Sequence, residues 1–133
     1  MNRLLPAFVS DDLHFASTEA SYQQVNPSHP FTHIPEASRN SSYFAILKQA
    51  LCVFKLVASI RPDVIVSTGA SVGFFALLFG KKLGAKTIWV DSIANVDSIS
   101  MSGEKAKKHA DLFITQWQHL AQGERPAWYG AVI

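Results

Sequence analysis

The sequence predicts an α/β domain: a Rossmann-like parallel sheet with helices on both faces. Three observations predict it. Val64-Ile65-Val66 is a continuous apolar run, the mark of a strand buried on both faces, and it enters the glycine turn Thr68-Gly69-Ala70-Ser71. Lys86-Thr87-Ile88-Trp89-Val90 repeats the pattern one unit later and ends in the polar turn Asp91-Ser92. Helical stretches separate these runs, so strand and helix alternate from Arg61 to Ile133. Both turns should fall at the carboxyl ends of parallel strands, where open α/β sheets place their ligand crevice.

The elements follow in order. Leu4-Leu5-Pro6-Ala7-Phe8 reads as the tail of a first helix, so the first strand and glycine loop of the fold are expected to be absent. A short strand is expected within Asp11–Thr18. Residues 19–41 are rich in Ser, Asn, Pro and His and predict a long loop with an extended piece at Phe31–Ile34. Asn40, Ser41 and Ser42 offer N-caps for a helix over 43–60, which Pro62 stops. Its polar positions Lys48, Cys52, Lys55 and Ser59 form one narrow stripe, so about three quarters of its surface should be buried, one side on the sheet and the other against a neighbouring helix, a partner protein or a membrane surface. Lys48 and Lys55 argue against a membrane span, because a lysine near a bilayer centre costs roughly 2.5–3.5 kcal/mol. Further along, a helix at Val72–Phe79 stops near Gly80, and Lys81 and Lys82 suit its C-terminal end. Thr87–Val90 and Leu112–Thr115 are strands and Ser102–Ala110 is a basic helix. Trp117–Ala121 is a helical turn, and Trp128–Val132 is a closing strand.

Composition bounds the function. The 133 residues make one domain, spanning 1–133. Hydrophobic residues are 48% and charged residues 17%, which excludes a disordered chain. A net charge of +2 gives no argument for nucleic acid. The single cysteine, Cys52, lies in an apolar run and is read as packing. With no CxxC pair, neither a metal nor a cofactor is expected.

Three constellations could carry chemistry. Gly69, Ala70 and Ser71 open a helix, and free N–H groups with the positive dipole end there suit a diphosphate. The pattern is neither a P-loop nor GxGxxG, and a plain strand-to-helix turn explains it equally well. Asp91, beside Ser92, is a strand-end carboxylate that could act as a general base or hold a sugar hydroxyl, whereas Asp97 reads as a helix cap. Ser102 and Gly103, with Lys105, Lys107 and Lys108, could receive an anion at a helix start. A solvated basic face is the plainer reading. The five histidines lack partners at catalytic spacing, and Trp117, Trp128 and Tyr129 read as core or interface.

One resemblance joins these pieces. Arg-Pro-Asp-Val-Ile at 61–65, the glycine turn at 68–73 and Val-Asp-Ser at 90–92 are followed by Ser-Met-Ser-Gly at 100–103. Ala-Asp at 110–111, Gln-Trp at 116–117 and Tyr-Gly at 129–130 complete the order. Together they resemble the acceptor-side subunit family of the two-component UDP-GlcNAc transferase that acts on dolichol-diphosphate-GlcNAc, in its bacterial capsule, exopolysaccharide and lipopolysaccharide branch. The match covers 61–133 well and 1–60 loosely. Asp91 and Asn95 stand where eukaryotic members carry Glu and Arg, and the family's opening Gly-Gly-His loop has no counterpart. The resemblance implies the N-terminal half of a GT-B glycosyltransferase, peripheral on the cytoplasmic face of the inner membrane. This half would hold a polyprenyl-diphosphate sugar, and a small donor-binding subunit would supply the sugar nucleotide, GlcNAc being the expected sugar. In that setting Asp91 would be the base or hydroxyl anchor, Gly69, Ala70 and Ser71 would line the diphosphate site, and Ser92, Ser102 and Gly103 would border the crevice. Two other readings stay open: a non-catalytic membrane scaffold recruiting the donor subunit, and an unrelated nucleotide-binding domain.

Overall fold

A computed structural model of the chain describes residues 12–19, 21, 24, 29–37, 42–92, 94–121 and 126–130. Strand β1 (Phe15–Ser17) pairs in parallel with β2 (Phe31–His33), with Phe15 opposite Phe31. The expected extended pieces at both places are therefore real strands. The N-terminal stretch Leu4–Phe8 lies outside the described residues, as do the possible caps Asn40 and Ser41.

Helix α1 (Tyr43–Ile60) starts where the Ser42 hydroxyl accepts the Ala45 N–H. It ends at Arg61, which turns left-handed (φ 48°) and returns its N–H to the Val57 carbonyl. Pro62 disfavours a helical conformation for the residue before it, which explains the stop. Of the cover expected for α1, the described residues supply one side. Only Gln49, Val53 and Val57 are buried. Tyr43, Phe44, Leu47, Leu51 and Phe54 range from 93% to 44% exposed.

Strand β3 (Val64–Ser67) is an edge of the described four-stranded sheet, so Val64 is 47% exposed rather than buried on both faces. Helix α2 (Ala70–Lys82) is longer than expected and runs through Gly80. Gly80 is a packing residue: a Cβ there would lie 2.2 Å from Ile65 Cδ1. One at Gly73 would lie 1.8 Å from Ser67 Oγ. The two glycines share a face of α2 and let it settle onto β3 at close range. The chain turns instead at Gly84, whose φ of 92° suits glycine.

Strand β4 (Lys86–Val90) is followed by α3 (Met101–Ala106), which tightens into a 3₁₀ turn at Lys107–His109. Then come β5 (Leu112–Thr115), a 3₁₀ turn at Gln118–Leu120 and β6 (Ala127–Trp128). Residues 131–133 of the expected closing strand lie outside the described residues. The sheet order is β3-β4-β5-β6, and every pair is parallel. Consecutive parallel strands require crossovers, supplied by α2 and α3 between β3, β4 and β5.

The main core joins Leu77, Trp89, Ala106, Ala110 and Phe113. The Trp89 and Phe113 rings stack at 6.3 Å. A second cluster, Ile34, Val53 and Val57, joins α1 to α2, and Cys52 packs at its margin as expected of a packing cysteine. At the amino ends of the strands, Asp111 accepts from Lys81 and from the Thr87 N–H (2.9 Å), which pins α2, β4 and β5 together. The Lys81 ammonium is the main cause holding the Asp111 carboxyl below its usual pKa, followed by the Thr87 N–H.

Candidate functional site

All strands of the four-stranded sheet point the same way. Register places Ser67 opposite Trp89, Val90 opposite Ile114 and Thr115 opposite Trp128. The segments at Thr68–Ser71, Asp91–Ser92, Gln116–Trp117 and Tyr129–Gly130 therefore emerge from one end of the sheet. The residues expected to form a site share that end, although their individual roles differ from one another.

Asp91 is the centre. It is 1% exposed. Its Oδ1 accepts the Trp89 indole N–H (3.0 Å) and the Ser100 hydroxyl (2.6 Å). Its Oδ2 accepts the Ser100 backbone N–H (3.0 Å) and the Asn95 amide (3.3 Å). Four donors saturate a buried carboxylate and leave no direction open to a substrate hydroxyl. This geometry is that of a positioning residue and differs from the expected base. Asp91 holds both ends of the 92–100 loop and the start of α3. Its carbonyl also accepts the Gln116 side chain (3.1 Å), which ties the ends of β4 and β5.

Ser100, not Asp97, caps α3: its hydroxyl accepts the Gly103 N–H at 2.9 Å. Asp97 is exposed. Gly103 is buried against this knot, and a Cβ there would lie 2.9 Å from Asp91 Oδ1 and 2.8 Å from Ser100 Oγ. It is a close-approach glycine rather than a rim residue. Ser102, by contrast, is half-buried at the start of α3. Ser92 is half-buried and accepts the Ala94 N–H at 3.2 Å, shaping the first turn of the loop. His119 binds the Val96 carbonyl at 2.6 Å and fastens the loop's middle.

At the β3 turn, Gly69 (φ 136°) and Ala70 (φ 64°) carry positive φ, and α2 begins without a side-chain cap. A Cβ on Gly69 would meet nothing within 4 Å, so this backbone borders open space. An alanine in the left-handed region costs roughly 1–2 kcal/mol. The uncapped N–H groups and the dipole end favour an anion there. Ser71 does not face the opening. Its hydroxyl lies 2.8 Å from Gln49 Oε1 and 3.0 Å from the Ala37 carbonyl, while Gln49, fully buried, donates to the Pro35 carbonyl at 2.9 Å. Ser71 thus tethers the 34–37 segment to α1 and α2.

Sequence reasoning missed Trp89 and Ser100 as holders of the Asp91 carboxylate, and Gln49 as a buried amide. A Ser-x-x-Gly at a helix start, nine residues after a strand-end Asp, was the available signal. No group of His, Cys, Asp or Glu among the described residues could hold a metal ion. An open hollow lined by Arg61, Asp63, Leu83 and Lys86 sits at the amino ends of the strands, away from these residues.

Over residues 13–133 the chain matches the family described as "Oligosaccharide biosynthesis protein Alg14 like". It belongs to the Alg14-like family. The UDP-N-acetylglucosamine transferase subunit ALG14 of Eremothecium gossypii is 34% identical over 79 residues, covering 54% of this chain and 35% of that protein. The Homo sapiens subunit ALG14 is 33% identical over 89 residues, covering 62% of this chain and 41% of that protein. The Candida albicans subunit ALG14 is 29% identical and covers 92% of this chain and 62% of that protein. The chain therefore spans between about a third and three fifths of these Alg14 relatives. Among solved structures, MurG of Acinetobacter baumannii superposes with a TM-score of 0.74 at 11% identity, covering 98% of this chain and 39% of that one. The likeness bears out the expected fold class, a Rossmann-like α/β arrangement.

Proposed function

We propose that this Alg14-like chain is the acceptor-side subunit of a split glycosyltransferase. It would help move a sugar, GlcNAc in the first instance, from a nucleotide donor to a polyprenyl-diphosphate-linked acceptor. The observation that carries the reading is the family match, supported by a parallel sheet whose strands β3 and β4 deliver the Gly69–Ala70 turn and Ser92 at the same end. The relatives' names supply the donor class: each is a UDP-N-acetylglucosamine transferase subunit. The Gly69 and Ala70 backbone would receive the acceptor diphosphate. Ser92 and Ser102 would border it. Asp91, Ser71 and Gly103 would keep these surfaces in place rather than touch the substrate.

A small donor-binding subunit would close the other side of the cleft and bring the sugar nucleotide. The chain would work peripherally on a membrane surface, where its acceptor resides. The narrower setting, a bacterial capsule, exopolysaccharide or lipopolysaccharide pathway on the cytoplasmic face of the inner membrane, rests on the sequence resemblance alone.

Equilibrium binding of labelled UDP-GlcNAc, with this chain alone and with a small donor-binding subunit, tests the division of labour. The reading expects nucleotide bound by the pair or the partner, and not by this chain. Tight binding to this chain alone would support an unrelated nucleotide-binding domain. A scaffold without an acceptor site predicts that replacing Ser92 and Ser102 by bulky residues leaves transfer by the assembled pair unchanged.

A further inference from the structure

Asp91 is saturated by four donors, so proton transfer at the open end of the sheet needs another group. His119 lies on the 3₁₀ turn Gln118–Leu120, which follows β5 at that end, and its side chain is exposed. The turn is fastened. The Thr115 hydroxyl accepts the Trp117 N–H at 3.2 Å, and the Trp117 carbonyl accepts the Leu120 N–H at 3.1 Å. Two contacts orient the imidazole. Its Nε2 lies 2.6 Å from the Val96 carbonyl oxygen, and the His119 and Trp117 ring centroids are 6.0 Å apart. A carbonyl only accepts, so Nε2 carries the hydrogen. In the neutral ring that leaves the lone pair on Nδ1. No hydrogen bond among the described residues uses Nδ1.

We infer that His119 is the catalytic base of the transfer, its Nδ1 receiving the proton of the acceptor hydroxyl. The inference rests on the split-transferase reading above and adds a residue to its site. As the proton leaves, the hydroxyl oxygen forms a bond to the anomeric carbon of the donor sugar. The bond from that carbon to the nucleotide diphosphate breaks, and the diphosphate departs with the electron pair. The imidazolium then gives its proton to solvent, which reaches its exposed edge. Strand spacing fits this path. β5 lies two strands from β3, a lateral step of about 9–10 Å. An acceptor diphosphate on the Gly69–Ala70 backbone would extend its sugar across the end of β4 toward His119. Two other groups fit less well. Asp97 is exposed in the 92–100 loop, and no described hydrogen bond orients it. His33 also meets a carbonyl, that of Thr18 at 3.0 Å, but it belongs to the separate two-stranded sheet.

Steady-state transfer of labelled GlcNAc from UDP-GlcNAc to a polyprenyl-diphosphate-GlcNAc acceptor, by this chain assembled with a small donor-binding subunit, tests this. His119→Gln sets an amide N–H near the Nε2 position, so it keeps a donor for Val96 and removes the base. It should lower kcat about 100-fold or more and leave the acceptor KM little changed. His119→Ala loses both functions, and added imidazole should restore part of its kcat without speeding wild type. His33→Gln and Asp97→Asn should transfer like wild type. Thermal melts and co-purification check folding and assembly, and the exposed place of His119 favours both. Wild-type kcat in His119→Gln would make His119 a latch alone and overturn the inference. So would a His119→Ala rate that imidazole does not raise, or a larger loss of kcat in Asp97→Asn or His33→Gln than in His119→Gln. In each of these cases an active wild-type pair leaves the transferase reading standing. No transfer by an assembled wild-type pair would overturn that reading and the inference with it.

Discussion

At the scale of single residues, Asp91 organises the open end of the sheet from within. Its carboxylate gathers the Trp89 indole, the Asn95 amide and both Ser100 donors. Removing it strands buried donors, each costing about 1–3 kcal/mol. Asp91→Ala should therefore lower stability by about 3 kcal/mol or more, read as a shifted urea midpoint. Gly103→Ala tests the same knot from outside, because its Cβ would lie 2.9 Å from the Asp91 carboxylate. It should destabilise by about 1–3 kcal/mol. Ser100→Ala separates positioning from base catalysis. Positioning predicts that stability and transfer fall together and that Ser100→Thr restores part of both. A base released from a competing donor would instead transfer faster. The importance of Asp91 was legible in the sequence from its strand-end place. Its saturation was not, since the donors come from positions two residues before and four and nine residues after it, and only the folded loop brings them together.

Among the elements, the strands were legible where apolar runs ended in polar turns, as at Ile88–Asp91. The fate of α2 was not. Gly80 reads locally as a stop, yet tertiary packing on Ile65 keeps it inside the helix. The two-sided apolar character of α1 was legible, and its outer side, which needs a neighbouring helix, a partner protein or a membrane surface, is largely exposed in the described fold. The turn before α2 makes its own prediction. Ala70 sits at φ 64°, so Ala70→Gly relieves left-handed strain while adding freedom to the unfolded chain. The net gain should be about 0.5–1 kcal/mol by urea denaturation. At the opposite strand ends, Asp111 links Lys81 and Thr87. Its folded pKa is lowered from 3.8, chiefly by Lys81. A depressed carboxyl pKa adds stability above its unfolded value, and that stability is lost as pH falls through the folded value. Asp111→Asn should accordingly lower the melting temperature at neutral pH, and the gap to wild type should narrow below about pH 4. The group is partly exposed, so the effect is modest.

For the whole molecule, fold class was legible because strand–helix alternation admits few arrangements, and the MurG likeness agrees with it. The division of roles at the open end was less so. The turn after β3 offers uncapped backbone, while Ser71, one residue on, is already committed to Gln49 and Ala37. The split transferase proposed above would need a second surface to complete the open end of this sheet. Transfer of labelled GlcNAc from UDP-GlcNAc into polyprenyl-diphosphate lipid, by this chain alone, by the donor-subunit candidate alone and by both, tests that most directly. The account predicts labelled lipid only when both chains are present. Transfer by either chain alone, or none from a pair shown to assemble with any nucleotide sugar, would contradict it.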